Sequence, residues 1–158
     1  MLNEDYRDLL LALSEEKVRY LLVGAYALAA HGYPRATMDI DVWVKPDAHN
    51  AAAVLRALER FGAPLQDLSQ QDLEDDDTVF QIGVAPRRVA IMTGVSGLEF
   101  DAAFENSVEV HIDDVTLRVP SIADLIRNKR ASGRTRDLAD AEALEELRDS
   151  DPGGATVE

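Results

Sequence analysis

Cysteine is absent from the sequence, which excludes disulfides, thiolate chemistry and zinc sites with cysteine ligands. Basic residues are few as well: 16 Lys and Arg stand against 30 Asp and Glu, and the formal net charge is −14. Proteins that bind nucleic acid broadly need a basic footprint, so we expect no broad non-specific nucleic-acid binding here. Local basic patches remain compatible with this composition.

Apolar runs of membrane-spanning length are also lacking. Even the apolar stretch 21–30 is interrupted by Gly24 and ends at His31 and Gly32. The first ten residues, MLNEDYRDLL, are acidic and lack the basic-then-apolar pattern of a signal peptide. We therefore expect a cytoplasmic protein without membrane contact.

The apolar fraction of 46% is sufficient for a core, and 158 residues favour one domain, 1–148, followed by a flexible tail, 149–158. Helical and strand-like patterns are mixed along it. Helices are predicted at 3–16, 25–31, 48–61 (capped by Asp47), 122–131 and 136–147, strands at 19–23 and 37–44, and hairpins over 78–93 and 107–119. The fold class is α/β or α+β, a mixed β-sheet flanked by helices.

Two connecting segments are predicted to be mostly irregular. Residues 62–77 are strongly acidic and favour an exposed loop or a short, weak helix. The acidic part, 66–77, is either a solvated loop or a mobile lid or partner surface. Residues 94–106 are predicted to form a glycine-containing loop. In the final helix the predicted apolar side comprises Leu138, Ala141, Leu144 and Leu147.

Two carboxylates one residue apart lie in the apolar strand 37–44. Successive strand side chains point to opposite faces, so Asp39 and Asp41 project together while Met38, Ile40 and Val42 point into a core. Neighbouring carboxylates repel each other, and a hard divalent cation with oxygen ligands relieves the repulsion. The alternative is an exposed strand edge with two solvated acids.

A glycine turn precedes this strand. Gly24 and Ala25 follow the apolar strand 19–23 and begin a helix of small residues. Glycine allows close backbone approach to a ligand, and the start of a helix favours anions. Each feature alone is weak, but together they predict a phosphate site beside a metal site.

The stretch LLVGAYALAAHGYPRATMDIDVWV resembles the nucleotidyltransferase superfamily, whose fold is known from the palm of DNA polymerase β. Closest in appearance are small bacterial nucleotidyltransferase-like proteins related to the AbiEii toxin group. The shared strings are Arg-x-Thr-x-Asp-x-Asp, here Arg35 to Asp41, and DLI-x-NK-x-A-x-GR-x-x-D, here Asp124 to Asp137. The resemblance covers residues 19–147.

The resemblance implies transfer of a nucleoside monophosphate from an NTP to an acceptor, with Mg²⁺ or Mn²⁺ as cofactor. Asp39 and Asp41 would be the metal ligands and catalytic residues. The acceptor is unknown (an RNA end, a protein or a small molecule), and a toxin–antitoxin role with a protein partner is one expectation. Residues implied in nucleotide binding are Gly24, Ala25, Arg35, Thr37, Lys129 and Arg134.

The chain departs from the family pattern on a later strand. Family enzymes carry a third carboxylate there, but the strand RRVAIMTG places Ala90 at that position. Glu99 and Asp101 follow it and could substitute only if the loop folds back. The alternative function is therefore a catalytically impaired nucleotidyltransferase-fold protein that binds or regulates.

A basic segment near the C-terminal end has two interpretations. Its charges either contact a triphosphate, with Lys129 and Arg134 as the candidates, or complement the helix dipole and form surface ion pairs. Arg35 is either a phosphate contact or a partner of Asp41, and His31 is expected at a helix end or in the core. The basic residues are Arg127, Lys129, Arg130, Arg134 and Arg136.

Overall fold

The computed structural model describes residues 2–35, 39–83 and 87–150, and these form a mixed α+β fold, as predicted. The elements are α1 (Glu4–Glu15), β1 (Tyr20–Val23), α2 (Gly24–Ala30), β2 (Ile40–Val44), α3 (Ala48–Phe61), α4 (Gln70–Glu74), β3 (Val79–Ile82), β4 (Val89–Met92), α5 (Phe100–Glu105), β5 (Val108–Ile112), β6 (Val115–Val119), α6 (Ile122–Ser132) and α7 (Thr135–Ser150).

The main sheet has four strands in the order β1-β2-β4-β3. Strand β2 pairs antiparallel with β1 and parallel with β4, while β3 and β4 form the predicted antiparallel hairpin. The second hairpin, β5-β6, forms a separate sheet, and β6 lies against β1. Strand β2 is therefore central, with neighbours on both sides.

The two faces of β2 serve different purposes. Ile40, Val42 and Val44 are fully buried in the large core beneath α1 and α3. Trp43 lies on the opposite face, in a smaller cluster with Leu21 and Phe100. Because residues two apart share a face, Asp41 lies on the side of the sheet that carries Trp43.

Helix boundaries follow the predicted caps. Asp47 Oδ1 accepts a 2.7 Å hydrogen bond from the backbone N–H of Asn50 at the start of α3, and Ser121 Oγ accepts one of 3.1 Å at the start of α6. Gly62 and Gly133 end these two helices in the left-handed conformation, with φ of 91° and 71°. The acidic segment contains the short helix α4, whose Leu73 is buried while most of its acids are exposed.

Three sequence-based expectations need correction. Strand β2 begins at Ile40, so Asp39 precedes the strand rather than lying within it. The segment 94–106 contains the helix α5, because Phe100 and Ala103 bury one of its faces against Trp43. Helix α7 is longer than predicted, and its Leu138 is 44% exposed. Residues 36–38, including Thr37 and Met38, and the tail residues 151–158 lie outside the described residues.

No helix among the described residues is long and apolar enough to cross a membrane.

Candidate nucleotide and metal site

Asp41 and Gly24 are packed against each other at the edge where β1 passes into α2. Val23 pairs with Asp41 across the β1–β2 ladder, which brings the next residue, Gly24, beside the carboxylate. Gly24 has φ of +69°, and a Cβ built on it would lie 2.2 Å from Asp41 Oδ2. Glycine is therefore required here both by the backbone and by the carboxylate that occupies the space a side chain would fill.

Asp39 is held by the backbone of the neighbouring segment. The backbone N–H of Arg88 donates a 3.2 Å hydrogen bond to Asp39 Oδ1, and the hydroxyl of Tyr6 donates one of 3.1 Å to the carbonyl of Arg88. Burial raises the pKa of Tyr6 to about 12, and the negative charge of Asp39 adds to this effect. Helix α1 thus supports Asp39 through Arg88.

Burial is the main cause that raises the pKa of Asp41, and the charge of Asp39 raises it further. Lys129 and Arg88 act in the opposite direction, but they do not cancel the shift. The ionised pair of carboxylates is therefore under electrostatic stress, which a cation would relieve.

The donor set fits a hard cation such as Mg²⁺. Carboxylate oxygens are its preferred protein ligands, and Mg²⁺ is commonly held by one or two carboxylates together with substrate phosphates and water. Within the described residues, no group of three or more His, Asp or Glu side chains is arranged to hold a metal ion. Asp39 and Asp41 therefore suit an ion that also binds a phosphate-bearing substrate.

Asp41 opens onto a cavity of about 280 Å³, referred to below as the Asp41 cavity. Four of the residues that the sequence implicates line it: Gly24, Asp41, Lys129 and Arg134. Asp39 is outside the lining. Further polar lining is provided by Ser96, Asn128, Ser132 and Asp137. Elements separated by about a hundred residues thus meet around one space.

Lys129 is held by two carboxylates of α7. Its Nζ lies 3.3 Å from Asp140 Oδ2 and 3.7 Å from Asp137 Oδ1. Asp140 is only 2% exposed and also accepts a 2.7 Å hydrogen bond from Arg35. The partner of Arg35 is therefore Asp140, not Asp41 as one sequence interpretation had it. Asp140 joins the connector after α2 to helix α6.

Arg134 lies at the mouth of the same cavity, with most of its side chain exposed. Its Nε donates a 2.9 Å hydrogen bond to Asp137, and this contact is the largest cause that lowers the pKa of Asp137. Asp137 remains ionised and keeps both basic side chains near the cavity.

The other sequence-predicted residues are spread around the site. Ala25 lies in the first turn of α2, and Thr37 is outside the described residues. Arg130 pairs with Glu145 at the surface, as the surface ion-pair interpretation predicts, whereas the exposed Arg127 pairs with the buried Asp124 of its own helix. His31 ends α2, and its Nε2 lies 2.7 Å from the carbonyl of Pro120.

Ala90 is the register partner of Asp41 in the parallel β2–β4 ladder. Its side chain therefore shares the face of the sheet that carries Asp41. Neither Glu99 nor Asp101 lines the Asp41 cavity, and Asp101 instead forms a 2.9 Å ion pair with Lys45. The segment 94–106 therefore brings neither Glu99 nor Asp101 into this cavity as a replacement carboxylate.

Two features of the site were missed from sequence. The first is the pair Asp137 and Asp140 on the buried side of α7, where Ala141 and Leu144 continue the stripe. Acids at helical spacing in line with buried apolar residues are the signal that could have revealed it. The second is a larger cavity of about 710 Å³ that shares the lining residues Gly94, Val95 and Ser96 with the Asp41 cavity.

Solved structures of nucleotidyltransferases share this fold. A protein of Thermotoga maritima named as a candidate nucleotidyltransferase superposes with a TM-score of 0.57 at 18% identity, over 95% of this chain and 96% of that one. The lincosamide antibiotic adenylyltransferase LnuA, solved with lincomycin bound, gives 0.55 at 16% identity, over 93% and 98%. The antibiotic-resistance factor ANT(2'')-Ia gives 0.54 at 16% identity, over 94% and 90%.

These likenesses confirm the predicted nucleotidyltransferase fold. No protein-family model and no curated protein matches the sequence.

Proposed function

We propose that this protein is a metal-dependent nucleotidyltransferase that moves a nucleoside monophosphate from an NTP to an acceptor hydroxyl. The observation that carries the proposal is the contact of Gly24 with Asp41 at the wall of a cavity that Lys129 and Arg134 also line. A shared fold alone would not specify this chemistry. Oxygen ligands and basic side chains around one space are what a metal-bound triphosphate requires.

Asp39 and Asp41 would hold Mg²⁺ or Mn²⁺. When bound, the ion would neutralise phosphate charge and favour in-line displacement at phosphorus. In the reaction, the acceptor oxygen forms a bond to the α-phosphorus. At the same time the bond breaks between this phosphorus and the oxygen that bridges the α- and β-phosphates. Pyrophosphate leaves, and the hydroxyl proton passes to a carboxylate or to solvent.

The chain's own residues would position the triphosphate. Lys129 provides a positive charge at the cavity wall, and its ion pairs with Asp137 and Asp140 fix where that charge lies. Arg134 is exposed enough to turn towards a phosphate. Gly24 and Ala25 would offer backbone N–H groups to phosphate oxygens, and Thr37 and Arg35 are further candidates from the sequence resemblance. The AbiEii-related toxin–antitoxin role and a protein partner stay predictions.

A second candidate function is a nucleotide-binding protein without transfer activity. The register of Ala90 with Asp41 favours it, because that position lacks a carboxylate. A positioned general base contributes about 10²–10⁴-fold in rate, so its loss slows transfer without abolishing nucleotide binding.

The test is calorimetric titration of the four NTPs with Mg²⁺, followed by transfer of label from radioactive NTP to components of a cell lysate. We expect binding of at least one NTP that requires the metal and is lost in Asp39→Asn and in Asp41→Asn. Asp67→Asn removes one exposed acid outside both cavities and serves as the matched control. Equal behaviour of the wild type and the two site variants with all four NTPs would overturn the proposal.

Labelled product distinguishes the two candidate functions. Label transfer by the wild type but not by Asp39→Asn supports the enzyme. Metal-dependent NTP binding without any label transfer supports the binding protein.

A further inference from the structure

Arg88 directly precedes strand β4, beside the two carboxylates of the proposed metal site. Its backbone N–H donates to Asp39 Oδ1, and its carbonyl accepts a 2.9 Å hydrogen bond from the backbone N–H of Ile40. Val89, the next residue, is buried in the large core. Because successive residues alternate between faces, the half-buried side chain of Arg88 lies on the opposite face, which carries Ala90.

The charge of Arg88 acts on Asp41, which lies on this face. Burial is the largest influence on the pKa of Asp41 and raises it, and the charge of Asp39 raises it further. The charges of Lys129 and Arg88 lower it. The guanidinium of Arg88 is therefore close enough to the carboxylates to belong to the same site.

Arg88 differs from the other basic side chains of the site in its partners. Three of these are each paired with an acid of α7: Arg35, Lys129 and Arg134. Within the described residues, the guanidinium of Arg88 forms no ion pair and no hydrogen bond. A phosphate oxygen would therefore bind to it without breaking an existing pair.

Arg88 lies at the start of β4, whereas the Asp41 cavity lies at the end of this strand. Met92 lines that cavity, Ala90 is the register partner of Asp41, and Arg88 is two residues before Ala90. Each step of two residues covers about 7 Å along a strand. Arg88 is thus placed on the far side of the carboxylates from the basic residues of the cavity. A triphosphate held by those residues would present its reacting α-phosphoryl end to Arg88.

The carboxylates of the site suit one metal ion. Two-metal centres hold the attacking and leaving oxygens between ions about 3.5–4 Å apart. Such a pair of ions needs more carboxylate ligands than Asp39 and Asp41 provide, and within the described residues no group of three or more acids is arranged to hold a metal. Positive charge on the acceptor side of the α-phosphorus therefore has to come from a side chain.

We propose that Arg88 is a catalytic residue that takes the place of a second metal ion: its guanidinium donates hydrogen bonds to the non-bridging oxygens of the α-phosphoryl group. The fork of N–H donors matches phosphate oxygens, and its charge stabilises the negative charge that develops on them during transfer. Arginine does not act as a base in proteins, so the acceptor proton passes to a carboxylate or to solvent, as in the proposed reaction. Contact with phosphate oxygens is independent of transfer, whereas the catalytic role rests on the proposed function.

The first test is calorimetric titration of the full chain with inorganic tripolyphosphate and Mg²⁺. This probe has the charged groups of a triphosphate without a nucleoside. We expect Arg88→Gln to weaken its binding about tenfold, and Arg88→Lys, which keeps the charge but not the fork, to weaken it less. The backbone hydrogen bonds of Arg88 remain possible in both variants, and circular dichroism checks that they fold.

Arg87→Gln is the matched control, because it makes the same change in net charge at the preceding residue. Arg87 is exposed, and its charge opposes the effect of burial on the pKa of Tyr6, which α1 provides. Arg87→Gln should therefore bind tripolyphosphate like the wild type.

The second test counts the metal ions by electron paramagnetic resonance, with Mn²⁺ in place of Mg²⁺ and tripolyphosphate bound. A single ion gives the spectrum of isolated Mn²⁺, whereas two ions at the spacing of a two-metal centre give a spin-coupled spectrum. We expect the wild type to show isolated Mn²⁺. In the label-transfer assay, Arg88→Gln should lower kcat by a larger factor than it raises KM for the NTP.

The proposal is overturned if the wild type does not bind tripolyphosphate, if Arg88→Gln and Arg87→Gln bind it alike, or if the wild type shows spin-coupled Mn²⁺. A change in KM without a change in kcat overturns the catalytic role. The proposed function fails by other results, namely NTP binding that is unchanged in Asp39→Asn and Asp41→Asn. The two proposals are therefore tested separately.

Discussion

Ala90 lies directly beside Asp41 in the parallel β2–β4 ladder, so the two side chains share one face of the sheet. Burial raises the pKa of Asp41, and the nearby negative charge of Asp39 raises it further. The sequence resemblance implies a third carboxylate at position 90, where this chain has alanine. Substituting Ala90 is therefore the most direct way to ask whether the site is a diminished catalytic centre.

Ala90→Asp should increase metal-dependent transfer by about 10²–10⁴-fold if this position is that of a missing general base. Ala90 is 7% exposed, so a third acid near Asp41 should also destabilise the metal-free protein, and added Mg²⁺ should restore its melting temperature. Label transfer and thermal melts with and without Mg²⁺ measure both effects.

Ala90→Asn is the control for Ala90→Asp, since it adds a similar volume without the charge. It should show neither the gain in transfer nor the recovery by Mg²⁺. The assignment of position 90 to the missing carboxylate would be contradicted if Ala90→Asp leaves transfer unchanged and added Mg²⁺ does not change its melting temperature.

Gly24→Ala should remove metal-dependent NTP binding. The new Cβ would lie 2.2 Å from Asp41 Oδ2, and the carboxylate, as the end of a side chain, would turn away from its place. Alanine at positive φ adds about 1–2 kcal/mol of strain. Calorimetric titration of the NTP with Mg²⁺ measures the first effect and urea unfolding the second.

Gly32→Ala separates these two effects. Gly32 has φ of +93°, and nothing lies within 4 Å of a Cβ built on it. The free energy of unfolding of Gly32→Ala should fall about as much as that of Gly24→Ala, but Gly32→Ala should keep NTP binding. If both variants bind NTP equally well, the contact between Gly24 and Asp41 has no part in the site.

Much of this site could be predicted from local patterns. The order of apolar strand, Gly24, short helix and second strand fixes the supersecondary unit, because each boundary has a glycine or an alternation pattern that marks it. The caps Asp47 and Ser121 likewise stand next to the helices they begin. These features depend on residues that are near each other in sequence.

Other features depend on contacts between distant segments. Leu138 was predicted to be buried, yet α7 buries Asp137 and Asp140 because Lys129 and Arg35 reach them from other elements. Helix α5 forms where a loop was predicted, since Phe100 packs edge-to-face on Trp43 with ring centroids 5.2 Å apart. Local propensity carries no information on such partners.

Asp140→Asn should lower the free energy of unfolding by about 2 kcal/mol or more, because it leaves Lys129 and Arg35 without their shared, buried counter-charge. It should also weaken NTP binding, since Lys129 would keep only its longer contact of 3.7 Å with Asp137 and would be held less firmly at the wall of the Asp41 cavity. Urea unfolding and calorimetric titration with Mg²⁺ measure the two effects.

Asp114→Asn is the comparison, because it breaks an ion pair with Arg7 in which both side chains are largely exposed. Such pairs contribute little in water, so its unfolding curve should match that of the wild type. If the free energy of unfolding falls no more in Asp140→Asn than in Asp114→Asn, the ion pairs of Asp140 with Lys129 and Arg35 are not important for stability.

His31 should make the protein less stable as the pH falls below the ordinary histidine pKa of 6.5. Burial lowers the pKa of His31, and the carbonyl of Pro120 opposes this only in part. The carbonyl can only accept, so Nε2 carries the hydrogen in the neutral ring. Between the lowered pKa and 6.5 the unfolded chain binds more protons than the folded one, so the free energy of unfolding falls with falling pH.

His31→Gln keeps a donor near Pro120 without titrating. It should therefore reduce the fall in the free energy of unfolding when urea unfolding is compared at about pH 7.5 and pH 5.5. His49→Gln, at an exposed position of α3, is the control and should show the same pH-dependent fall in the free energy of unfolding as the wild type. If both variants reduce the fall equally, His31 is not its source.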